Sequence, residues 1–480
     1  MANHPAGAIR ALAVAFAATL ALPATAQSGI DTTGSRGLGD SFLPKAGNGG
    51  YDVSHYDVRL RYEPKDNRFT EGTRAIITAD VTQPDGLDRF DLDYRGPRIT
   101  ALEVADEGTP VASTFDRAGQ ELIVSTEDVI ATGNEMTVTG RYRGRPHATT
   151  DPDGSHDGWI RTDDGAAVVG EPQGTPTWMP ANDHPTDKAT FEISVRVPKG
   201  HKAVSNGVLN SIGGSSGPGG ETRTYRWAED DPMATYLATA TVGRFDVTQE
   251  DPPGAPSSSY IAVDKSLGFD GAIDQTADVL DYFDDWIGPY PFDQIGGIVD
   301  DAPQVGFALE TQTRPFYPTP PSESLIAHEN AHQWFGDQIS LADWSQIWLN
   351  EGFATWAQWF WAEGQGGLTV SARVDDLCET PPGNGGFWNP PPAAVPGPEQ
   401  LFDDTIYVRG GMALQRLREL MGDTDFFALM QAWTAQDPEG AYDTAGFITM
   451  AKAHTAIADG QVDALFDDWV FESGKPDDCA

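Results

Sequence analysis

From Tyr51 to about Val247 the chain alternates apolar and polar positions with a period of two. YDVSHYDVRLRYEP, TRAIITADVT, FDLDYRG, ELIVSTED and EMTVTGRYRG each hold the alternation over five to nine residues, bounded by Gly, Pro, Asp or Asn. FEISVRVPKG, TYRWAED and YLATATVGRFDV continue it. A period of two puts one face of each segment in a core and the other in water, which predicts an N-terminal antiparallel β-domain over residues 51–254. Pro252, Pro253 and Gly254, followed by Pro256 and three serines, mark its end. Beyond them the apolar spacing becomes three and four. ADVLDYFDDWIG, IYVRGGMALQRLREL, FFALMQAW and VDALFDDWV predict helices in a second domain, 255–480. Two stretches fit neither period and read as loops: EPQGTPTWMPANDHPTDKATF at 171–191, and the Gly-, Pro- and Asn-rich residues 379–399.

The first residues belong to neither domain. After Arg10 the run ALAVAFAATLALPATA is apolar for about a dozen residues, against roughly 20 for a membrane span, and it closes on Ala24-Thr25-Ala26. Residues 1–26 are therefore expected to be a signal peptide removed before Gln27, giving a secreted protein; the alternative is an uncleaved anchor. Residues 27–50, rich in Gly, Ser and Asp, read as an extended leader. No later apolar run is long enough for a membrane helix, so no membrane insertion is expected.

Composition adds two constraints. With 72 acidic against 31 basic residues and a formal charge of −41, the surface is unsuited to nucleic acid and anionic lipid, which require basic patches. The acidic residues are scattered, as on a solubilising surface. The two cysteines, Cys378 and Cys479, either form one disulfide, as a secreted chain permits, or remain free thiols.

The chemistry concentrates at 328–351, HENAHQWFGDQISLADWSQIWLNE. Pro318 to Pro321 stop the preceding chain, and Ser322 can cap a helix behind them. On that helix His328 and His332 stand one turn apart on one face, able to converge on one ion, and Glu329 reaches the same space at another angle. Glu351, nineteen positions after His332, can supply a third ligand. The interval suffices to end the first helix at Phe335-Gly336-Asp337, turn, and begin a second near Asn350, which would cap it. Three protein ligands leave the fourth zinc position open, the mark of a catalytic site. Leu325, Ile326, Trp334 and Phe335 make the first helix a buried one, where unpaired imidazoles and carboxylates are costly unless something binds them. Phe353, Trp356, Trp359 and Phe360 form an apolar stripe on the second helix, ending at Gly364, that reads as core.

HENAHQWFGD, followed by WLNEGFA at 348–354 after the family's own eighteen-residue gap, resembles the zinc aminopeptidase family that includes aminopeptidase N and leukotriene hydrolase. YDVSHYDVRL is similar to the opening of that family's β-domain. The resemblance implies a thermolysin-like, mainly helical catalytic domain holding one Zn2+ on His328, His332 and Glu351. Glu329 would be the base, and the substrates peptides with a free amino end. YVRGGMALQRL is similar to the family's Y-x-K-G segment, which implies that Tyr407 faces the oxyanion, with Arg409 standing where lysine is usual. VGFALETQTRP corresponds to the G-x-M-E-N strand that binds peptide backbone, and GPYPFDQIGGIVDD resembles the run into that edge. Glu310 keeps the acidic residue that pairs with the α-amine, whereas Phe307, Leu309 and Thr311 replace Gly, Met and Asn. Strict aminopeptidase action therefore stays open against a zinc endopeptidase or a small-ester or epoxide hydrolase. Gln173 corresponds to a glutamine that reaches into the cleft. Many family members continue into a large helical domain; this chain is expected to be the short form, without a long helical-repeat domain and with a more open site. A non-catalytic secreted binding module is the rival from another class. Glu329 argues against it, because a binding protein has no use for a base.

Overall fold

Strand Tyr51–Glu63 buries Tyr51, Val53, Tyr56, Val58, Leu60 and Tyr62 and exposes residues between them. A bulge between Val53 and His55 shifts the phase once, so both halves of the strand keep their apolar side on the core. It pairs antiparallel with Arg74–Val81 and parallel with Ala189–Pro198, at the centre of a nine-stranded sheet. The antiparallel expectation thus gives way at this one junction, where the long connection between the two strands permits a crossover. A second, five-stranded antiparallel sheet contains Ala148–Thr150, His156–Arg161, Ala166–Val169, Ala240–Gly243 and Lys202–Ser205.

This computed structural model describes residues 31–479 apart from 218–219, 251–257, 269–270 and 384–385. The signal peptide expected over 1–26 and the domain boundary expected at 254 lie outside the described residues. From Thr32 onward the chain forms one compact unit. The leader expected to be extended is instead packed over its described residues, 31–50. Asp40 caps its own turn at Leu43 N and also accepts from Trp344 N at 2.7 Å. Asp343 accepts from both Ser41 N and Ser41 Oγ, Asn48 N donates to Asn182 Oδ1, and Leu43 and Ala46 are buried. Hydrogen bonds satisfied across so many residues hold a segment that its composition alone leaves unstructured.

The second half begins on a four-stranded mixed sheet of Phe245–Glu250, Ser258–Asp264, Gln294–Val299 and Phe316–Tyr317. Helices α1 (Thr276–Trp286), α2 (Glu323–Ala331), α3 (Trp348–Gly364), α4 (Val370–Glu379), α5 (Gly410–Met421), α6 (Asp423–Thr434), α7 (Thr444–Ala453) and α8 (Asp459–Phe466) follow. Helix α3 is the axis of this half. Its aromatic stripe is core as expected: Trp356 stacks on Phe360 at 5.1 Å, and Phe353 packs edge-on against Phe447 of α7. Burial of each such side chain contributes about 2 to 3 kcal/mol. Of the stretch 379–399 read as loop, the described residues from Thr380 to Gly397 are loop, while Glu379 ends α4 and Pro398–Gln400 form a short helical turn. Cys378, at the end of α4, is bonded to Cys479, and both are buried. Among the described residues no helix is long and apolar enough to cross a membrane.

Several buried carboxyl groups in the N-terminal half form no ion pair among the described residues. Burial pushes Asp183 up to about 7 and Asp187 and Glu229 up to about 8. Unfolding returns them to ordinary values near 4, so between about pH 4 and 8 the folded chain holds protons that the unfolded chain releases. Stability is therefore greatest on the acid side of this window and falls as pH rises through it, by about 1 kcal/mol per pH unit for each group. Urea denaturation between pH 5.5 and 8 is expected to show this fall, and Glu229→Gln is expected to flatten it.

Candidate metal centre and cleft

Ser322 caps α2 as its sequence suggests, its Oγ accepting from Leu325 N at 3.2 Å. The helix ends at Ala331 rather than at Phe335-Gly336-Asp337, because the backbone after Asn330 tightens into single turns. His332 is the first residue past it and retains helical angles, φ −60° and ψ −23°, which keep its ring on the same face as His328. Helix α3 also starts earlier than expected. Asp343 caps a short turn, Trp344–Gln346, that runs directly into Trp348, so Asn350 lies inside the first turn and does not cap. Asn350 instead packs on Gly336, where φ is +128° and a Cβ would stand 3.0 Å from Asn350 Nδ2. That close approach brings the two ligand-bearing elements together.

The three donors meet at the spacing zinc requires. His328 Nε2 lies 3.2 Å from His332 Nε2 and 3.2 Å from Glu351 Oε2, and His332 Nε2 lies 3.4 Å from Glu351 Oε2. A tetrahedral zinc with bonds of about 2.05 Å has ligand–ligand edges of roughly 3.3 Å. His332 Nδ1 faces Phe335 O at 3.0 Å; donation there fixes the tautomer that leaves Nε2 free for a metal. All three side chains are buried. Burial alone would raise the Glu351 carboxyl, but His332 and His328 outweigh it and hold it down to about 2, so this carboxylate is an anionic ligand. The donor set fits zinc, and His328, His332 and Glu351 form a possible zinc site.

Glu329 is buried beside it, and burial raises its carboxyl well above the ordinary range. Glu310 lies within 4.8 Å of both Glu329 and His332 by its nearest oxygen. The segment that carries Glu310 is not the regular strand expected: only Leu309 forms a bridge, to Phe316, before the chain turns at 311–314. It is held by side chains instead. Gln333, next to ligand His332, donates to Glu310 O at 3.0 Å and accepts from Thr313 N at 2.7 Å. From the β-domain, Asn206 Nδ2 donates to Gln312 O and Gly207 N donates to Thr313 Oγ1.

Tyr407 sits in a widened turn, Thr405–Arg409, leading into α5, with its ring 6.1 Å from that of His328 and the planes 22° apart. Two features set its place. Gly352, next to Glu351, faces Gly410 so closely that a Cβ on Gly410 would lie 2.9 Å from Gly352 Cα. Arg409, fully buried, donates to the carbonyls of Trp388, Asp468, Trp469 and Glu472 at 2.7 to 2.8 Å. Four acceptors in two segments suit the five-donor fork of arginine better than the three donors of lysine.

Gln173 is not among the side chains lining the cleft. Its Oε1 accepts from Arg95 Nη2 at 3.0 Å, and its backbone N–H donates to Asp157 Oδ2 at 3.2 Å. The residue of this loop that lines the cleft is Glu171, which sequence reasoning passed over. A signal was present, since Glu171 is the only charged residue between 165 and 182. Burial, then the nearby carboxylates of Glu310, Glu351 and Glu329, raise the Glu171 carboxyl well above its usual range. Its Oε1 and that of Glu310 have no hydrogen-bond partner among the described residues. The cleft, about 730 Å³, brings Glu171, Glu310, Glu329, Tyr407 and the three metal ligands onto one surface, with Phe307, Trp359 and Phe402 supplying apolar wall.

Comparison with known proteins agrees with this geometry. The pattern described as "Peptidase M1 N-terminal domain" matches residues 53–237, and that described as "Peptidase family M1 domain" matches 309–469. The solved M1 zinc metallopeptidase of Deinococcus radiodurans superposes with a TM-score of 0.80 at 28% identity, over 92% of this chain and 99% of that one. A mutant from the same organism, bound to a Tyr-Ser-Ala substrate, gives the same TM-score, identity and coverage. Among curated relatives, aminopeptidase M1-C of Oryza sativa is 24% identical over 88% of this chain and 49% of its own length. Glutamyl aminopeptidase of Sus scrofa is 30% identical over 63% of this chain and 34% of its own. The chain thus spans about a third to a half of the curated relatives it matches. It belongs to peptidase family M1, with the family's N-terminal β-domain and helical catalytic domain.

The Gly352–Gly410 contact makes a specific test. Gly410→Ala forces α3 and α5 apart at backbone atoms and is expected to cost about 1 to 3 kcal/mol of stability. It should lower kcat more than it raises KM, with zinc content unchanged, because Tyr407 moves while the ligands stay. Zinc analysis and steady-state kinetics on the same preparation check this.

Proposed function

We propose that this chain is a secreted zinc-dependent aminopeptidase that removes residues from the amino ends of peptides. The observation that carries the reading is the pairing of a three-ligand zinc geometry with two buried carboxylates on the same cleft wall, Glu171 and Glu310, each with one oxygen lacking a hydrogen-bond partner among the described residues. Two acidic groups kept from water have a large unmet need for positive charge, and the ammonium of a free amino end supplies it. Export rests on the sequence of residues 11–26, and the Cys378–Cys479 bond favours an oxidising compartment.

Zinc held by His328, His332 and Glu351 supplies Lewis acidity toward water and toward the scissile carbonyl. Glu329, buried beside the ligand set, takes the proton of the attacking water and delivers it to the leaving amine. The Tyr407 hydroxyl, kept protonated first by burial and then by the surrounding carboxylates, donates to the oxygen on which negative charge develops. Glu171 and Glu310 hold the amino end and fix how far the chain enters. Phe307, in place of a smaller residue, narrows the wall beside them.

Replacement of Glu329 separates binding from chemistry. Glu329→Gln is expected to retain one zinc per chain and to lose about two to four decades of kcat, whereas His328→Ala is expected to lose the metal as well. Metal analysis alongside hydrolysis of a fluorogenic aminoacyl substrate distinguishes them; a Glu329→Gln protein that turns over normally would overturn the mechanism.

The amino-end assignment has its own test. Acetylation removes the charge that Glu171 and Glu310 pair with, so an acetylated peptide should be cleaved one to three decades more slowly than its free counterpart, about 1.4 to 4 kcal/mol. Glu310→Ala should narrow that ratio by slowing the free peptide. Equal rates on matched peptides, read by mass spectrometry, would leave the endopeptidase reading in its place.

A further inference from the structure

A second group of carboxylates lies apart from the cleft. Asp164, Asp264 and Asp300 each place one oxygen within 4.8 Å of the others. Parallel pairing explains two of them. Val263 registers with Val299, so Asp264 and Asp300 stand side by side at the carboxyl ends of neighbouring strands. Asp164 arrives from the β-domain, in the turn between His156–Arg161 and Ala166–Val169, where its Oδ2 accepts from Arg244 N at 2.7 Å. Asp264 Oδ1 accepts from Ser266 N and Oγ.

Asp300 is the anomaly. It is only 1% exposed; its Oδ1 accepts from Asp301 N, and its Oδ2 is buried without any hydrogen-bond partner among the described residues. None of the recorded ion pairs among the described residues involves these three aspartates, and the nearest lysine along the chain, Lys265, pairs with Asp246. The side-chain charges of Arg244 and His201 favour an ionised Asp164, but burial outweighs them and neither forms an ion pair with it among the described residues. Burial, and then Asp264 and Asp164, push the Asp300 carboxyl up to about 8.

We propose that Asp164, Asp264 and Asp300 form a calcium site that clamps the 156–169 hairpin of the β-domain to the strand ends of the catalytic half. An all-oxygen, carboxylate donor set selects a hard divalent cation over zinc. Calcium accepts irregular coordination and additional water ligands, whereas magnesium requires a strict octahedron that three carboxylates fixed by the backbones of three separate segments are less suited to complete. The clamp lies beside a second tie between the same parts, Gln304 Nε2 donating to Arg161 O at 3.2 Å. Residues 301–305, which lead from Asp300 to the cleft wall at Gly306–Ala308, are thereby anchored at their start.

The zinc-loaded full chain, freed of calcium on a chelating resin, is titrated with calcium chloride by calorimetry and unfolded thermally with about 1 mM calcium or magnesium chloride. One calcium per chain is expected, with a rise in Tm of about 2 °C or more that magnesium does not match. Asp300→Asn and, separately, the more exposed Asp164→Asn should lose both responses and keep their zinc. Absence of calcium binding in the parent protein overturns the proposal, as does an unchanged response in Asp164→Asn, which would assign the binding to scattered surface acids. An Asp300→Asn protein stabilised without calcium, beside a parent indifferent to it, would show that the cluster holds a proton instead.

Discussion

Four carboxylates, Glu171, Glu310, Glu329 and Glu351, are buried around two imidazoles, and this imbalance of charge is the constraint to which the surrounding structure answers. Each carboxylate taken from water costs several kcal/mol unless positive charge or hydrogen bonds replace its hydration. His332 acts on Glu310, Glu329 and Glu351 alike, but among the described residues of this set only at Glu351, which His328 also faces, does that outweigh burial. An apolar interior could hold such a set only if the backbone around it were fixed independently. It is fixed from both halves: Gln333 grips the Glu310 segment from the metal side, and Asn206 and Gly207 grip it from the β-domain. Lys188, at the start of a β-domain strand, donates to the carbonyls of Asp337, Gln338 and Pro438, tying down the loop after His332.

That division of labour explains why the β-domain is part of the site rather than an appendage. One cleft acid, Glu171, comes from it, and another, Glu310, is positioned against it. The helices contribute the donors whose spacing must be held to tenths of an ångström, as α-helical and tightly packed elements allow. Close glycine contacts at Gly336 and at Gly352–Gly410 set those spacings, since any side chain there would enter neighbouring atoms.

The residues legible in the sequence were those whose meaning is carried by local spacing. His328, Glu329 and His332 are read from one helical turn, the period-two segments from alternation, and the aromatic stripe of α3 from its three-and-four spacing. What was misread depended on partners distant in sequence. Asn350 has the chemistry of a cap, but Asp343 starts the helix upstream of it. Gln173 has the chemistry of a ligand-binding amide, but Arg95, far away in the chain, takes its oxygen, and Glu171 two residues earlier lines the cleft. The segment 31–50 has the composition of a tether, yet it is packed because Asp343, Trp344 and Asn182 complete its hydrogen bonds. Arg409 is visible as a substitution for lysine, while the four carbonyls it serves emerge only when the tail folds back.

The bond between Cys378 and Cys479 has a topological consequence for a protein of this kind. It closes a covalent ring around the segment that contains Tyr407, and among the described residues the Gly- and Pro-rich stretch between Thr380 and Gly397 is the part of that ring with least regular structure. A foreign protease cutting there would open the ring without dividing the molecule, since the piece bearing Tyr407 stays tethered through Cys479 to the end of α4. Arg409 and the α3–α5 contact would hold that piece in register, so a nicked chain keeps its parts assembled where a linear one would shed them.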